Sequence, residues 1–89
     1  MELNSQEISL LKCLAEEWIK SGPPGVVETV VIAKSLDMTI PDTKATINTL
    51  FVKGLVDTDK IDLYAAYLTP EGFDIAQSKS PDGKGGPDP

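Results

Sequence analysis

The sequence predicts a small α+β domain that is mainly α-helical, and three observations predict this fold class. A capped amphipathic helix pattern opens the chain, two shorter helical patterns follow it, and two β-prone segments then flank an acidic turn. The 89 residues suffice for one hydrophobic core and are too few for two. We therefore expect one domain over residues 1–77. Residues 78–89 are predicted to be a disordered tail, because they are rich in proline and glycine and have nothing to pack.

The first helix is predicted to run from Asn4 to about Lys20. Asn4 and Glu7 have the spacing of a capping box, in which each side chain accepts a hydrogen bond from the backbone N–H of the other residue. Apolar residues then recur at helical spacing. They are Ile8, Leu10, Leu11, Leu14, Ala15, Trp18 and Ile19. The segment Gly22–Gly25 ends the helix, because its two central prolines cannot continue it.

A brief strand and a second helix are predicted next. Val26–Val27 is short and β-branched, which suits a strand that pairs with a later hairpin. Glu28 or Thr29 is expected to cap a helix that runs through Leu36. Ile32 is one of its core-facing residues.

A third helix follows the break that ends at Pro41. Proline is tolerated in a first turn, and Asp42 and Thr43 have side chains that favour a helix start. The helix is expected to run to about Lys53, and Gly54 suits the left-handed position that follows a helix end. Its predicted core face consists of Ile40, Thr43, Ile47 and Leu50.

Two strands, an acidic turn and a final helix complete the pattern. Leu55–Asp57 and Leu63–Leu68 are the predicted strands, with the turn at Asp57–Asp62. Thr69 is expected to cap the last helix, and Pro70 to occupy its first position. Numbered along the chain, the order is α1-β1-α2-α3-β2-wing-β3-α4, which is that of a winged helix-turn-helix domain.

Three phrases of the sequence also resemble the MarR-type winged helix-turn-helix transcription regulators. They are Val31–Leu36, Leu50–Val56 and Leu68–Gly72. In that family a leucine-alanine pair anchors the second helix, a Leu-x-x-Lys-Gly-Leu-Ile phrase ends the recognition helix, and a Leu-Thr-x-x-Gly phrase closes the wing. The resemblance covers about residues 26–76. It implies a regulator that binds double-stranded DNA through its third helix.

The resemblance also implies which side chains would contact DNA, since the third helix would enter the major groove. The candidates are Lys34, Thr43, Lys44, Thr46, Asn48, Thr49, Lys53 and Lys60. Threonine and asparagine can bond base edges or phosphates, and lysine can bond phosphates. The same side chains also suit a solvated helix face that has no ligand, so both interpretations stay open at this point.

The charge of the chain departs from the family pattern. The net charge is -6, and all eight basic residues are lysine. Residues 57–62 carry three acids and one lysine, where the family places an arginine near the tip of the wing. A phosphate backbone would repel such a wing. Residues 30–56, with three lysines against two aspartates, form the only net-positive segment.

A second class of function is an acidic protein-interaction module that does not bind DNA. Apolar residues occupy positions where the family usually carries polar ones; these are Val30, Val31, Phe51 and Val52. If some of them are exposed, they mark a protein interface, unless the first helix or the tail covers them. The module would then be a subunit of an assembly or an inhibitor of a nucleic-acid-binding protein. A DNA-binding regulator of this kind would need a homodimer to approach useful affinity, formed through the first helix, the last helix or this apolar cluster.

Composition argues against catalysis. The chain has no histidine, its single cysteine is Cys13, and no phosphate-binding glycine loop is present. We therefore expect no enzyme, no cofactor and no metal site. No apolar run approaches the roughly 20 residues of a membrane span, and the first residues lack the features of a signal peptide. The expected location is the cytoplasm.

Overall fold

The computed structural model describes residues 2–59 and 61–78 of the chain. In this part the chain forms four helices and three strands, in the predicted order. Their bounds are α1 Ser5–Ser21, β1 Val27–Glu28, α2 Thr29–Leu36, α3 Ile40–Val52, β2 Val56–Thr58, β3 Ala65–Leu68 and α4 Pro70–Ser78. Ser78, assigned to the tail from sequence, is the last residue of α4. The rest of the predicted tail and Lys60 lie outside the described residues.

The three strands form one antiparallel sheet in the order β1-β3-β2. Val27 pairs with Ala66, and Val56 pairs with Leu68. The strand before the helix-turn-helix therefore pairs with the hairpin that follows it, as predicted. Together with the four helices this topology is a winged helix, and β2, β3 and their connection form the wing. In the part of the chain that the structure describes, no helix is both long and apolar enough to cross a membrane.

The hydrophobic core is built where α1, α2, α3 and the sheet meet. Its larger buried side chains are Leu10, Leu11, Leu14, Ile32, Ile47, Leu50, Leu55, Val56 and Leu68. At the edge of this core the rings of Trp18 and Phe73 stack, with centroids 4.7 Å apart and an interplanar angle of 18°. The stack attaches α4 to the end of α1.

Two of the predicted helix caps are present. Asn4 Oδ1 accepts the N–H of Glu7 at 2.8 Å, and Glu7 Oε1 accepts the N–H of Asn4 at 2.8 Å. Thr69 Oγ1 accepts the N–H of Gly72 at 3.0 Å at the start of α4. These caps satisfy backbone donors that a helix start leaves without partners.

The predicted cap of α2 is different. Glu28 occupies the N-cap position, but its side chain makes no capping hydrogen bond. The hydroxyl of Thr29 donates instead to the carbonyl of Leu63, and the N–H of Thr29 donates to the carbonyl of Tyr64 at 2.7 Å. The start of α2 is thus tied to the end of the wing, and the tertiary contact replaces a local cap.

Two glycines of the family-like phrases have structural roles. Gly54 has a φ of +79° after the end of α3, and Leu55 N–H donates to the Leu50 carbonyl at 3.0 Å. This is the hydrogen bond of a Schellman helix end. A Cβ on Gly72 would lie 1.8 Å from the carbonyl oxygen of Leu55. Both phrases therefore encode packing of the helix ends against the sheet.

Candidate nucleic-acid interface

The outward side of α3 is the candidate recognition surface. The helix begins at Ile40 with Thr39 as its N-cap, and Thr39 Oγ1 accepts the N–H of Asp42 at 3.1 Å. Its start is therefore fixed by a side chain three residues before the predicted Asp42. The described side chains on the exposed arc are Pro41, Asp42, Ala45, Asn48, Thr49 and Val52, with Lys44 half-buried beside them.

Two predicted DNA contacts lie on the wrong side of α3. Thr43 is fully buried and Thr46 is only 9% exposed. Their hydroxyls donate to the carbonyls of Thr39 at 2.8 Å and Asp42 at 2.9 Å. A threonine can be buried in this way because its hydroxyl finds a partner one turn back in its own helix. The burial of Thr43 agrees with its predicted place on the core face, whereas Thr46 is buried against expectation; neither side chain lies on the exposed arc of α3.

Asn48 and Thr49 lie on the exposed arc, as predicted. The Thr49 hydroxyl donates to the Ala45 carbonyl at 3.0 Å, so it can offer a ligand only an acceptor while that bond persists. Asn48 is exposed and carries both an amide donor and a carbonyl acceptor. Of the predicted polar contacts on α3, Asn48 is therefore the side chain best suited to reading a base edge.

Lys53, also predicted to contact DNA, is engaged within the protein. Its Nζ lies 3.2 Å from Glu7 Oε2 and donates to the carbonyl of Glu2 at 3.2 Å. The side chains of Lys53 and Glu7 are 27% and 7% exposed. Glu7 thus caps its own helix with one oxygen and binds Lys53 with the other. No local pattern in the sequence could reveal this pair, because 46 residues separate its members.

The pairing of Lys53 changes the electrostatics of the helix-turn-helix. With that lysine compensated by Glu7, the remaining charges over residues 30–56 are Lys34 and Lys44 against Asp37 and Asp42. The small net-positive charge predicted for this segment is therefore cancelled. Lys34 is exposed and Lys44 half-buried, so of the predicted phosphate contacts these two keep an accessible side chain without an ion pair among the described residues. Lys60 lies outside the described residues.

The acidic wing is organised by one carboxylate. Asp59 Oδ1 accepts the N–H of Tyr64 at 2.6 Å and that of Ala65 at 3.3 Å, and Oδ2 accepts the N–H of Asp62 at 3.3 Å. Desolvation alone would raise the pKa of Asp59, but these backbone donors together outweigh it and hold the pKa below its ordinary value. Asp59 therefore shapes the turn, in addition to making it acidic.

The four apolar residues of the predicted protein interface differ in exposure. Val30 is 49% exposed, Val31 47% and Val52 75%. Phe51 is half-buried and packs against the hydrophobic core. The exposed apolar surface of the helix-turn-helix therefore comes from valines at the start of α2 and the end of α3, and from Ile40, which was predicted to face the core but is 37% exposed at the start of α3.

Comparisons with known proteins identify the fold. No protein-family model matches the chain, and no curated protein does. Among solved structures, a variant of ZitR from Lactococcus lactis superposes with a TM-score of 0.72 at 16% identity, covering 91% of this chain and 53% of that one. A second ZitR variant gives 0.70 at 16% identity. The chain spans about half the length of these ZitR chains.

One further solved structure matches over its whole length. A protein from Ralstonia eutropha JMP134, to which DNA binding is provisionally assigned, gives a TM-score of 0.71 at 25% identity, with 90% of this chain and 100% of that one covered. The similarities agree with the element order and sheet topology described above. The chain folds as a winged helix-turn-helix domain.

Proposed function

We propose that the chain is a small DNA-binding domain of MarR type that acts in transcription regulation, with α3 as its recognition helix. The observation that carries the proposal is the exposed arc of α3, where the exposed Asn48 carries an amide donor and a carbonyl acceptor. The fold shared with the R. eutropha protein supports the same function. We propose that the domain has no catalytic role.

The chemistry of the arc suggests how DNA would be bound. An asparagine in the major groove can bond N6 and N7 of adenine with its carbonyl and amide groups. Lys34 and Lys44 would contact phosphates on either side and set the register of the helix. Thr49 would serve as an acceptor, since its hydroxyl proton is directed to Ala45.

The small number of cations limits the affinity. Each neutralised phosphate contributes about -0.9 to the slope of log K against log salt, so two lysines give a slope of about -2 per domain. The acidic wing lowers the affinity further. We therefore propose that useful affinity requires a homodimer, in which two α3 helices contact successive half-sites.

The experiment is fluorescence anisotropy of labelled random-sequence duplex DNA, titrated with the full chain between about 20 and 200 mM salt. We expect binding that weakens with salt and is reduced in Lys44→Gln. The matched control is Lys20→Gln, which removes the same charge from an exposed position at the end of α1. Equal losses in both variants, or no binding at the lowest salt, would contradict the proposal.

A second candidate function is that of a protein-interaction module, which the exposed Val30, Val31 and Val52 favour. Sedimentation of the chain and of Val30→Ser/Val31→Ser tests this function through self-association. The control is Val26→Ser, which changes a valine of similar exposure, 53%, outside the helix-turn-helix. A dimer lost only in the double variant would support an interface at α2, and a monomer at all concentrations would contradict self-association there.

A further inference from the structure

A groove lies between α4 and the turn that joins α3 to β2, away from the side chains proposed to contact DNA. Its volume is about 510 Å3. Lys53, Gly54 and Leu55 of the turn line one side, and Glu71, Asp74 and Ile75 of α4 line the other. We call it the α4 groove. Neither the recognition surface nor the wing turn uses it.

The walls of the α4 groove are held in place by contacts to two backbone carbonyls. Thr69 Oγ1 donates to the Gly54 carbonyl at 2.8 Å, and the Thr69 N–H donates to the Leu55 carbonyl at 3.2 Å. Gly72 approaches that same Leu55 carbonyl so closely that a side chain would not fit. A groove with such walls is preformed, so a ligand would lose little affinity to ordering it.

The lining combines apolar surface with carboxylates. The half-buried Ile75 contributes the accessible apolar side chain, whereas the side chain of Leu55 is only 2% exposed and belongs to the core beneath the groove. Glu71 and Asp74 are both exposed, and their spacing of three residues places them on one side of α4. The two carboxylates therefore stand beside an apolar surface that the described part of the chain does not fully cover.

Lys53 is the one cation among the described lining residues, and it does not compensate these carboxylates. Lys53 Nζ is directed to Glu7 and to the carbonyl of Glu2. Counting Lys53 with its partner Glu7, the described lining residues keep the two negative charges of Glu71 and Asp74. The groove is therefore anionic as well as apolar.

We propose that the α4 groove docks a basic segment of a partner protein. Arginine and lysine side chains place an aliphatic stem on apolar surface and a charged head against carboxylates. Ile75 would contact that stem and an apolar side chain of the same segment, and Glu71 and Asp74 would bind the head. The net charge of -6 would also speed the encounter with a basic partner.

The test is an NMR titration of the 15N-labelled full chain with a synthetic peptide of about 12 residues, the length of an ordinary helix. The probe is an amphipathic helix of leucine, alanine and arginine. We expect amide shifts concentrated at Gly54, Leu55 and the first two turns of α4. A control peptide replaces every leucine with serine, and a second replaces every arginine with glutamate; both should bind much more weakly.

Variants separate this site from general attraction to an acidic protein. Glu71→Gln/Asp74→Asn should weaken binding of the probe peptide about fivefold, because two exposed ion pairs are lost. Glu16→Gln/Glu17→Gln removes the same charge from α1. It should change the affinity for the probe peptide by less than about twofold, because salt screens the attraction between distant exposed charges. Spectra of both variants should retain the folded pattern.

Several outcomes would overturn the proposal. They are the absence of binding, shifts spread over all acidic surfaces, equal binding of the serine peptide, and equal weakening by the two double variants. Concentration-dependent shifts at the α4 groove without any peptide would assign it to a second copy of this chain instead. None of these outcomes depends on DNA binding, which the anisotropy experiment measures separately.

Discussion

The middle and the end of α3 differ in how their polar groups are used. In the middle of the helix, Asn48 presents its amide to solvent, and Lys44 lies half-buried beside it. At the end, Lys53 is bound to Glu7 and to a backbone carbonyl, and Leu55 closes the helix by a hydrogen bond to Leu50. The first region is open to a ligand, whereas the second is engaged in holding the fold.

This difference shows what the family-like phrases encode. The lysine and glycine that end α3, and the threonine and glycine that follow the wing, meet at one corner of the molecule. There Thr69 donates a hydrogen bond to the Gly54 carbonyl, and Gly72 packs on Leu55. A resemblance carried by these phrases is therefore evidence for the fold. Evidence for DNA binding has to come from the exposed arc of α3, because most of its residues lie outside these phrases.

The largest expected effect is that of Gly72→Ala. The added Cβ would lie 1.8 Å from a backbone oxygen, so α4 must shift away from the sheet. We expect a loss of about 3 kcal/mol or more in the free energy of unfolding, at the upper end of overpacking effects. Urea denaturation measures it.

The control is Gly54→Ala, where a Cβ would meet no atom within 4 Å and only the φ of +79° is unfavourable. That change should cost about 1 to 2 kcal/mol. Equal losses in the two variants would show that α4 does not pack on Leu55 as described.

Lys53→Met should have the next largest effect. It leaves the carboxylate of Glu7 largely buried without its cation, and we expect a loss of about 1 to 2 kcal/mol, because partial exposure of the lysine reduces the full cost of breaking a buried pair. Lys44→Met should change the free energy of unfolding by less than about 0.5 kcal/mol.

DNA affinity should respond in the opposite order to these two lysine substitutions. Anisotropy is expected to detect a weaker complex for Lys44→Met and an almost unchanged one for Lys53→Met. If removal of Lys53 instead abolishes binding in a protein that is still folded, the end of α3 belongs to the recognition surface after all.

Thr46→Val should have a smaller effect on stability and none on DNA binding. Valine keeps the shape of the buried side chain and removes only the hydroxyl that donates to the Asp42 carbonyl. The expected loss is about 1 kcal/mol or less. The comparison variant is Asn48→Ala, which should keep the stability of the protein and discriminate less between DNA sequences. A Thr46→Val protein that loses DNA affinity would place this residue in the interface.

The smallest expected effect is an acid-dependent loosening of the wing. The ordinary pKa of an aspartate is 3.8, and the fold holds that of Asp59 lower. The charged carboxylate therefore stabilises the fold above pH 3.8, and this contribution disappears as the pH falls through the lowered pKa. Amide exchange of Tyr64 and Ala65, measured by NMR from pH 5 downward, should reveal the loss.

Asp59→Asn is the control for this measurement. In this variant the backbone N–H groups of Tyr64 and Ala65 should exchange faster already at pH 5, because the side-chain oxygen of asparagine is a weaker acceptor than a carboxylate. It should also show less additional change on acidification. An identical pH profile in both proteins would mean that Asp59 does not hold the wing turn.

Features that depend on neighbouring residues were readable from the chain alone. The capping box at Asn4, the helix start at Thr69 and the left-handed Gly54 were all predicted correctly, because each depends on residues within one or two turns. The element order and the pairing of β1 with the hairpin followed from the same patterns and from the resemblance.

The candidate site was less predictable, because it depends on what covers each side of α3. Helical spacing placed Thr43 on the core face, where it is buried, but it left Thr46 among the DNA candidates, and packing of the neighbouring elements buries Thr46 as well. The engagement of Lys53 depends on Glu7, and the need for glycine at position 72 depends on the Leu55 carbonyl. Local hydrogen bonds and turn preferences thus specify the helices and strands, whereas long-range packing selects the side chains that remain free to bind a partner.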